Sequence, residues 1–264
     1  MRPALSSLSP ARRRLAALVL GVVVVALVGV IGKLAIDRLA GGGIAEQSSP
    51  GPVLVVPGYG GDTSSLGSLV AELRGEGRDV VVFEATEAGK GDLRVQAAGL
   101  AELAKQTMDR TGTESVDVVG YSAGGVVARL YVRDEGGTSV VRRVLTLGSP
   151  HHGTEVAALA EEVAGGCPTA CEQLATGSDL LRRLDAGDET PDGPQWITVR
   201  TADDQIVTPS DSAVLDGALN IEVQDLCPDA TTSHGELPGD PVVLATVRNV
   251  LGSAAPRVPE DVIC

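Results

Sequence analysis

The sequence predicts an α/β protein in which a central, mostly parallel sheet is covered by helices on both faces. Short valine-rich runs recur along the chain, and each is followed by a glycine-rich turn and then by a helical stretch. Nearly continuous aliphatic strands that alternate with helices are typical of a parallel sheet buried on both sides. The predicted strands are Pro52–Val56, Asp79–Ala85, Ser115–Gly120, Val140–Leu147, Gln195–Thr201 and Ala218–Val223.

Helical stretches lie between these runs, and one loop-like stretch precedes Gln195. The predicted helices are Ser65–Arg74, Leu93–Arg110, one that ends near Arg133, Glu155–Ala164 and Pro241–Leu251. In such sheets ligands bind at the carboxyl ends of the strands. We therefore look for chemistry in the turns that follow each predicted strand.

The charged residues divide the chain into a basic N-terminal segment, the tip (residues 1–40), and an acidic remainder, the body (residues 41–264). The 264 residues are 43% hydrophobic and 21% charged, which fits one folded domain with an appendage. The formal net charge of −14 argues against nucleic acid as a partner, because binding to phosphates needs a basic face. Six basic residues and one acid precede residue 41, which leaves a net charge of −19 on the rest of the chain.

The tip predicts an export signal. Residues 1–14 form a basic region that we expect to stay in the cytoplasm, and residues 15–32 form an uncharged apolar run. That run has the length of an uncleaved signal-anchor or of a long cleaved signal peptide. A buried core helix is the weaker alternative, and a twin-arginine signal is a poor match. Residues 33–51 are a predicted linker, and residues 52–264 are the predicted catalytic domain outside the cytoplasm.

The four cysteines agree with export to an oxidising compartment. All of them follow residue 160, and three pairings are open. We favour Cys167–Cys171, which closes a tight loop, and Cys227–Cys264, which fastens the last residue. A metal site is the weaker interpretation, because the spacing is not C-x-x-C and no histidine stands beside either pair.

One motif predicts a nucleophile. Gly120-Tyr121-Ser122-Ala123-Gly124 fits G-x-S-x-G, and it follows a predicted strand and opens a predicted helix. In that context the serine Oγ is lifted clear of the sheet, and the two flanking glycines allow close backbone approach. The alternative is a plain phosphate-cradling turn, but neither of the usual nucleotide-binding glycine patterns occurs.

A serine nucleophile needs a base and an acid. In this strand–turn–helix context the chain order is Ser, acid, His, and only His234 leaves room for an acid before it. Asp204 and Asp203 both follow the strand at Gln195–Thr201, and we prefer Asp204. Both could also be ordinary solvated turn residues.

Two backbone N–H groups and a pair of histidines are further candidates for the functional site, in the turns that follow the predicted strands. An oxyanion hole needs two backbone donors, for which we predict the N–H groups of Ala123 and Tyr59, since Pro57 has none. His151 and His152 follow another strand, and we expect them to line the pocket or to cap the next helix. A role for either histidine as the catalytic base or as a metal ligand is less favoured.

Taken together, these residues resemble the α/β-hydrolases, and more narrowly the small bacterial secreted lipases and esterases, over roughly residues 52–251. V-P-G-Y-G-G resembles the family's V-H-G-x-G-G oxyanion turn, with Pro57 in place of the usual His. G-Y-S-A-G-G-V-V-A-R resembles its G-H-S-M-G-G-L-V-A-R elbow. L-G-S-P-H-H-G-T, D-Q-I-V-T-P and H-G-E-L-P-G-D-P-V-V are similar to T-P-H-x-G-T, D-x-V-V-P and H-x-x-L-x-x-D-P.

The resemblance implies hydrolysis of a carboxylic ester through an acyl-serine intermediate, with Ser122, Asp204 and His234 as the triad. It implies no cofactor and no metal, an acyl ester as substrate, and the bacterial membrane as a partner only if the tip stays uncleaved. Aromatic residues make up 2% of the chain, so we expect a shallow site on uncharged esters, with residues 165–193 as the longest candidate lid. Acyl transfer, or thioesterase or amidase activity, on the same triad stays open, and a non-enzymatic tethered binding domain is the remote alternative.

Overall fold

The computed structural model describes residues 43–157 and 167–264, together with eight helical residues between Arg14 and Gly29. Residues Ile44–Cys264 form one compact unit. The predicted apolar run at 15–32 lies mostly outside the described residues. Among the residues that are described, no helix is both long enough and apolar enough to cross a membrane.

In the described part of the chain, six strands form one parallel sheet with the order β2-β1-β3-β4-β5-β6. The strands are β1 (Val53–Val56), β2 (Val80–Val82), β3 (Val116–Tyr121), β4 (Val141–Leu147), β5 (Gln195–Arg200) and β6 (Leu219–Glu222). The chain moves from β1 outward to β2 and then returns to place β3 on the other side of β1. The strand order therefore reverses between β1 and β3, where an open α/β sheet forms its ligand-binding crevice.

Helices cover both faces of this sheet, as the strand composition predicts. The helices that are described from end to end are α1 (Gly67–Gly75), α2 (Leu93–Thr111), α3 (Ala123–Asp134), α4 (Thr169–Leu174), α5 (Asp179–Leu184), α6 (Val223–Leu226) and α7 (Pro241–Val250). Alternate strand residues face opposite sides. Leu54 and Val118 pack in the core with α2 and α3, whereas Val55 and Val119 pack in the core with α1 and α7.

Most predicted elements lie within a residue or two of their observed bounds, and the differences are local. The second strand is shorter than predicted, because the chain turns away after Val82 into a short 3-10 segment at Thr86–Gly89. The loop-like stretch before Gln195 contains two short helices, α4 and α5, that were not predicted. Of the helix predicted at Glu155–Ala164, the first three residues are helical and the remainder lies outside the described residues.

Two disulfides join the pairs that the sequence favours. Cys167 is bonded to Cys171 at the start of α4, with 5.7 Å between their Cα atoms. Cys227 is bonded to Cys264 with 5.6 Å between the Cα atoms, and this bond fastens the end of the chain beside the end of α6. The second bond therefore closes a loop that contains His234.

Candidate active site

The turns after β1 and β3 meet where the strand order reverses. Gly58, in the turn after β1, lies so close to Ser122 that an added Cβ would be 3.0 Å from the serine Cβ. Ser122 directly follows β3 and precedes the first residue of α3. The predicted oxyanion turn and the predicted nucleophile therefore share one edge of the sheet.

The backbone at Ser122 has the geometry of a sharp strand-to-helix turn. Its φ of 53° lies in the left-handed region, which is strained for a residue with a side chain. Glycines allow this turn to pack against its neighbours. A Cβ at Gly120 would lie 2.5 Å from the Gly125 Cα, and one at Gly124 would lie 2.3 Å from the Val56 carbonyl oxygen. Both glycines of the motif are therefore sterically required.

Ser122, His234 and Asp204 form one hydrogen-bonded chain. The Ser122 Oγ lies 3.0 Å from His234 Nε2, and His234 Nδ1 lies 2.8 Å from Asp204 Oδ2. Asp204 and His234 are each 7% exposed, so the pair is largely shielded from water. The other carboxylate oxygen, Asp204 Oδ1, accepts backbone N–H bonds from Ile206 and Val207 at 2.9 and 2.8 Å. These bonds fix the carboxylate with one oxygen aimed at the imidazole.

The structure separates the two aspartates that the sequence leaves open. Asp203 is exposed, and its Oδ2 accepts a long 3.4 Å bond from Gln224. Asp204 is the one that reaches the imidazole. The preference for Asp204 therefore agrees with the observed placement.

A capping box holds the segment that carries His234. This residue begins a 3-10 helix at His234–Gly239, and Ser233 is its N-cap. The Ser233 backbone N–H donates to Glu236 Oε2 at 2.9 Å, and the Ser233 hydroxyl donates to the same oxygen. The S-x-x-E pattern formed by Ser233 and Glu236 is the sequence signal for such a helix start, which the predicted elements do not include.

The predicted oxyanion donors lie in suitable places, and their role stays a prediction. The Ala123 N–H is the first of α3, where helical N–H groups lack partners within the helix. Tyr59 follows Gly58 in the turn that contacts Ser122 and is closed by a 3.1 Å bond from the Gly61 N–H to the Gly58 carbonyl. Pro57 contributes its carbonyl instead, which packs against Gly124.

Two residues that touch the triad were not predicted. Tyr121 donates a hydrogen bond from its hydroxyl to the His234 carbonyl oxygen at 3.2 Å. Burial, aided by the negative charge of Asp204, raises the pKa of Tyr121 to about 12. Gly148 has a φ of 53°, and a Cβ there would lie 3.1 Å from His234 Nδ1 and 2.7 Å from Leu237. Gly148 directly follows β4, and a glycine at the end of a strand is the sequence signal that could have indicated this close contact.

His151 lies in the protein interior, and not on a pocket wall. It is 0% exposed, and its Nε2 lies 3.0 Å from the Thr146 Oγ1. Burial, together with the charge of Arg129, holds the pKa of His151 well below its usual value. The predicted place of this residue in the pocket is therefore wrong.

His152 belongs to an ion-pair network beyond the triad. Its Nδ1 lies 3.2 Å from Asp185 Oδ2 and its Nε2 lies 3.7 Å from Glu189 Oε1. The hydrogen bond to Asp185 raises the pKa of His152. These three side chains place one ligand atom each within 4.8 Å of one another and could hold a cation, although Arg129 already neutralises Asp185 at 3.2 Å.

A serine raised on a strand–turn–helix elbow, with its histidine and aspartate supplied after later strands, defines an α/β-hydrolase with serine chemistry. The family model described as palmitoyl protein thioesterase matches residues 52–183, which is half of the chain. The chain belongs to the palmitoyl protein thioesterase family. No curated protein matches the sequence.

Solved structures share the fold at low sequence identity. Aspergillus fumigatus lipase B is 20% identical with a TM-score of 0.70, over 76% of this chain and 52% of that one. The mature Bacillus licheniformis lipase BlEst2 is 21% identical with a TM-score of 0.56, over 65% and 82% of the two chains. A Listeria innocua gene product is 15% identical with a TM-score of 0.54, over 75% and 92%. The chain thus spans about half the length of the Aspergillus lipase that it matches.

Proposed function

We propose that this protein hydrolyses uncharged acyl esters and thioesters through an acyl-enzyme formed on Ser122. The observation that carries the proposal is the continuous hydrogen-bonded chain from the Ser122 Oγ through His234 to Asp204. A hydroxyl is a weak nucleophile until a base takes its proton, and His234 Nε2 stands at hydrogen-bond distance for that transfer.

The reaction follows from this arrangement. His234 Nε2 takes the Ser122 proton as Oγ attacks the acyl carbon, and the imidazolium then protonates the departing alcohol or thiol. Water enters, gives its proton to His234, and attacks the acyl carbon, so that the acid leaves and Ser122 recovers its proton. Asp204 accepts the Nδ1–H bond throughout, which fixes the tautomer and stabilises the imidazolium.

Negative charge on the acyl oxygen is stabilised by backbone donors. In this proposal the N–H groups of Ala123 and Tyr59 form the oxyanion hole. The placement of Gly58 against Ser122 and the position of Ala123 at the start of α3 support it. A donor at a helix N-terminus also gains from the helix dipole.

Exposed apolar side chains near the triad support an acyl substrate. Tyr59 is 41% exposed, Val156 is 43% exposed and Ile206 is 48% exposed. Ile206 lies on the loop that fixes Asp204, and its carbonyl oxygen accepts a 2.6 Å bond from the Thr154 hydroxyl. That bond holds the segments that carry Val156 and Ile206 together, and the Ile206 N–H donates to the Asp204 carboxylate, so this apolar surface adjoins the segment that carries the triad acid.

Thioesters enter the proposal because of the family match. The family is that of the palmitoyl protein thioesterases, and the matched residues 52–183 include the elbow. Attack on an ester and on a thioester uses the same nucleophile, base and oxyanion donors. The leaving atom differs, and a thiol departs more easily than an alcohol.

The test compares oxygen and sulfur esters that carry the same acyl chain. We expect the wild-type protein to release acid from both series, with Ser122→Ala lowering kcat/KM by at least about 10³-fold because the nucleophile is lost. Release of the alcohol or thiol is followed by absorbance over a series of acyl lengths.

Ser115→Ala is the matched control, since Ser115 is a buried serine before β3 and away from the triad. Equal rates for wild type and Ser122→Ala on both series would contradict the proposal. Transfer of the acyl group to an added alcohol, in place of acid release, would favour the acyltransferase alternative.

We also propose that the basic tip exports the domain, which then remains anchored or is released by cleavage between about Ile31 and Ala45. The triple arginine before the apolar run and the two disulfides support this location. Cell fractionation with added protease, followed by N-terminal sequencing of the recovered protein, measures it. Protection of the whole chain from protease in intact spheroplasts would contradict it.

A further inference from the structure

We infer that Tyr121 is a positioning residue that fixes the main chain of His234 for proton transfer from Ser122. The inference rests on the proposed function, since it concerns the same pair of side chains. Tyr121 is the last residue of β3 and is 9% exposed. Its hydroxyl donates to the His234 carbonyl oxygen at 3.2 Å, and the two ring centroids are 5.3 Å apart.

Two adjacent residues therefore hold one histidine from two sides. Tyr121 binds the His234 backbone, while the Oγ of the next residue, Ser122, lies 3.0 Å from the His234 ring. Strand β3 pairs with β1 on one side and with β4 on the other, so its end has little freedom to move. Because proton transfer falls off with small errors of distance and angle, a rigid link between nucleophile and base has direct kinetic value.

This backbone anchor supplements the Asp204 contact without replacing it. Asp204 binds the imidazole through Nδ1, whereas Tyr121 binds the main-chain carbonyl, so the two contacts restrain different parts of His234. His234 lies in a short 3-10 segment whose cap, formed by Ser233 and Glu236, is exposed. The Tyr121 hydroxyl is a buried contact that ties this segment to the sheet.

The hydroxyl acts only as a donor. Burial and the nearby charge of Asp204 raise the pKa of Tyr121 to about 12, so the phenol keeps its proton throughout the working range of a histidine base. The contact is therefore insensitive to pH between about 5 and 10.

The experiment compares Tyr121→Phe with Tyr131→Phe in the full chain. Tyr131 is also buried, at 2% exposed, and no hydrogen bond from its hydroxyl occurs among the described residues. Both variants lose one hydroxyl from a buried ring, but only the Tyr121 hydroxyl contacts a residue of the triad. The readouts are kcat and KM on the best ester, and the rate and endpoint of Ser122 labelling by a fluorophosphonate.

We expect Tyr121→Phe to lower kcat and the labelling rate in parallel by about 5- to 10-fold, the effect of one lost buried hydrogen bond. The KM, the labelling endpoint and the activity of Tyr131→Phe should stay within twofold of wild type. The endpoint counts competent sites, so partial unfolding is separated from slower chemistry.

Three results would overturn the inference. Rates of Tyr121→Phe within twofold of wild type would show that the contact is not needed. A raised KM with unchanged kcat would show that Tyr121 contacts substrate, and a collapsed endpoint would show that it supports only the fold. A wild-type protein that neither turns over esters nor labels at Ser122 would instead overturn the proposed function itself.

Discussion

At the scale of single residues, the surroundings give the three histidines three different roles. His234 bridges Ser122 and Asp204, and its two ring nitrogens serve two partners. His151 is buried beside Thr146 with a lowered pKa, so it stays neutral. His152 lies between Asp185 and Glu189 with a raised pKa, so it favours the charged form. The same residue type thus lies in the proposed triad, in the core and in an ion-pair network.

The two neighbouring aspartates should differ sharply when each is changed to asparagine. Asp204→Asn places an amide against His234 Nδ1 and stabilises the wrong tautomer, so we expect kcat to fall by about 10⁴-fold. Asp203→Asn changes an exposed side chain, so its kcat should stay within twofold of wild type. Steady-state kinetics on one ester, with both variants in parallel, measures this. Similar losses in the two variants would refute the assignment of Asp204.

At the scale of elements, the edge between β1 and β3 is where close backbone packing and chemistry coincide. Ser122 has its strained φ because α3 must start immediately after β3. Gly124 on α3 lies against the carbonyl of Val56 on β1, so the start of the helix packs closely on the neighbouring strand. This contact brings the turn after β1 beside the first N–H groups of α3. The turn at Ser122 therefore connects β3 to α3 and packs against β1.

The hydrophobic pattern of the sequence does not predict the two short helices α4 and α5. Each has six residues, which is too short for a helical period to stand out. Tertiary contacts support them. The Gln173 side chain of α4 accepts from the Leu93 N–H at 2.8 Å, and Arg129 and Arg133 of α3 donate to the Leu184 carbonyl at the end of α5. Isolated helices of this length are marginal in water, so these contacts account for their presence.

At the scale of the whole molecule, a buried cluster at the amino ends of the strands fastens the end segments of the domain to the sheet. Asp117 is 0% exposed and pairs with Arg142 and Arg78. Arg142 also donates to the carbonyls of Gln47 and Gly252, and Arg78 donates to the carbonyls of Gly51 and Leu251. The cluster lies at the edge opposite the triad, so it serves stability.

Asp117→Asn should destabilise the fold without changing the chemistry. The change keeps the side-chain shape but leaves the buried Arg142 guanidinium, and the partly buried one of Arg78, without their carboxylate, which costs about 3–5 kcal/mol. Asp109→Asn removes an exposed pairing with Lys105 and should cost less than about 1 kcal/mol. Urea unfolding of both variants gives the free energies. Equal stabilities would show that the backbone carbonyls alone hold the arginines.

Local sequence signals predicted the parallel sheet, the elbow at Ser122 and the order serine, aspartate, histidine of the proposed triad. They left three cysteine pairings open, of which the favoured one is observed. Strand runs and glycine positions are local signals, because a pleated strand and a tight turn each require particular residues within a few positions. Other features depend on residues that are far apart in the chain and meet only in the folded protein. Tertiary packing placed Asp204 and not Asp203 against His234, buried His151, formed α4 and α5, and joined Tyr121 to the His234 backbone. Each of these outcomes depends on a contact between segments far apart in the chain, and no local pattern records such a contact.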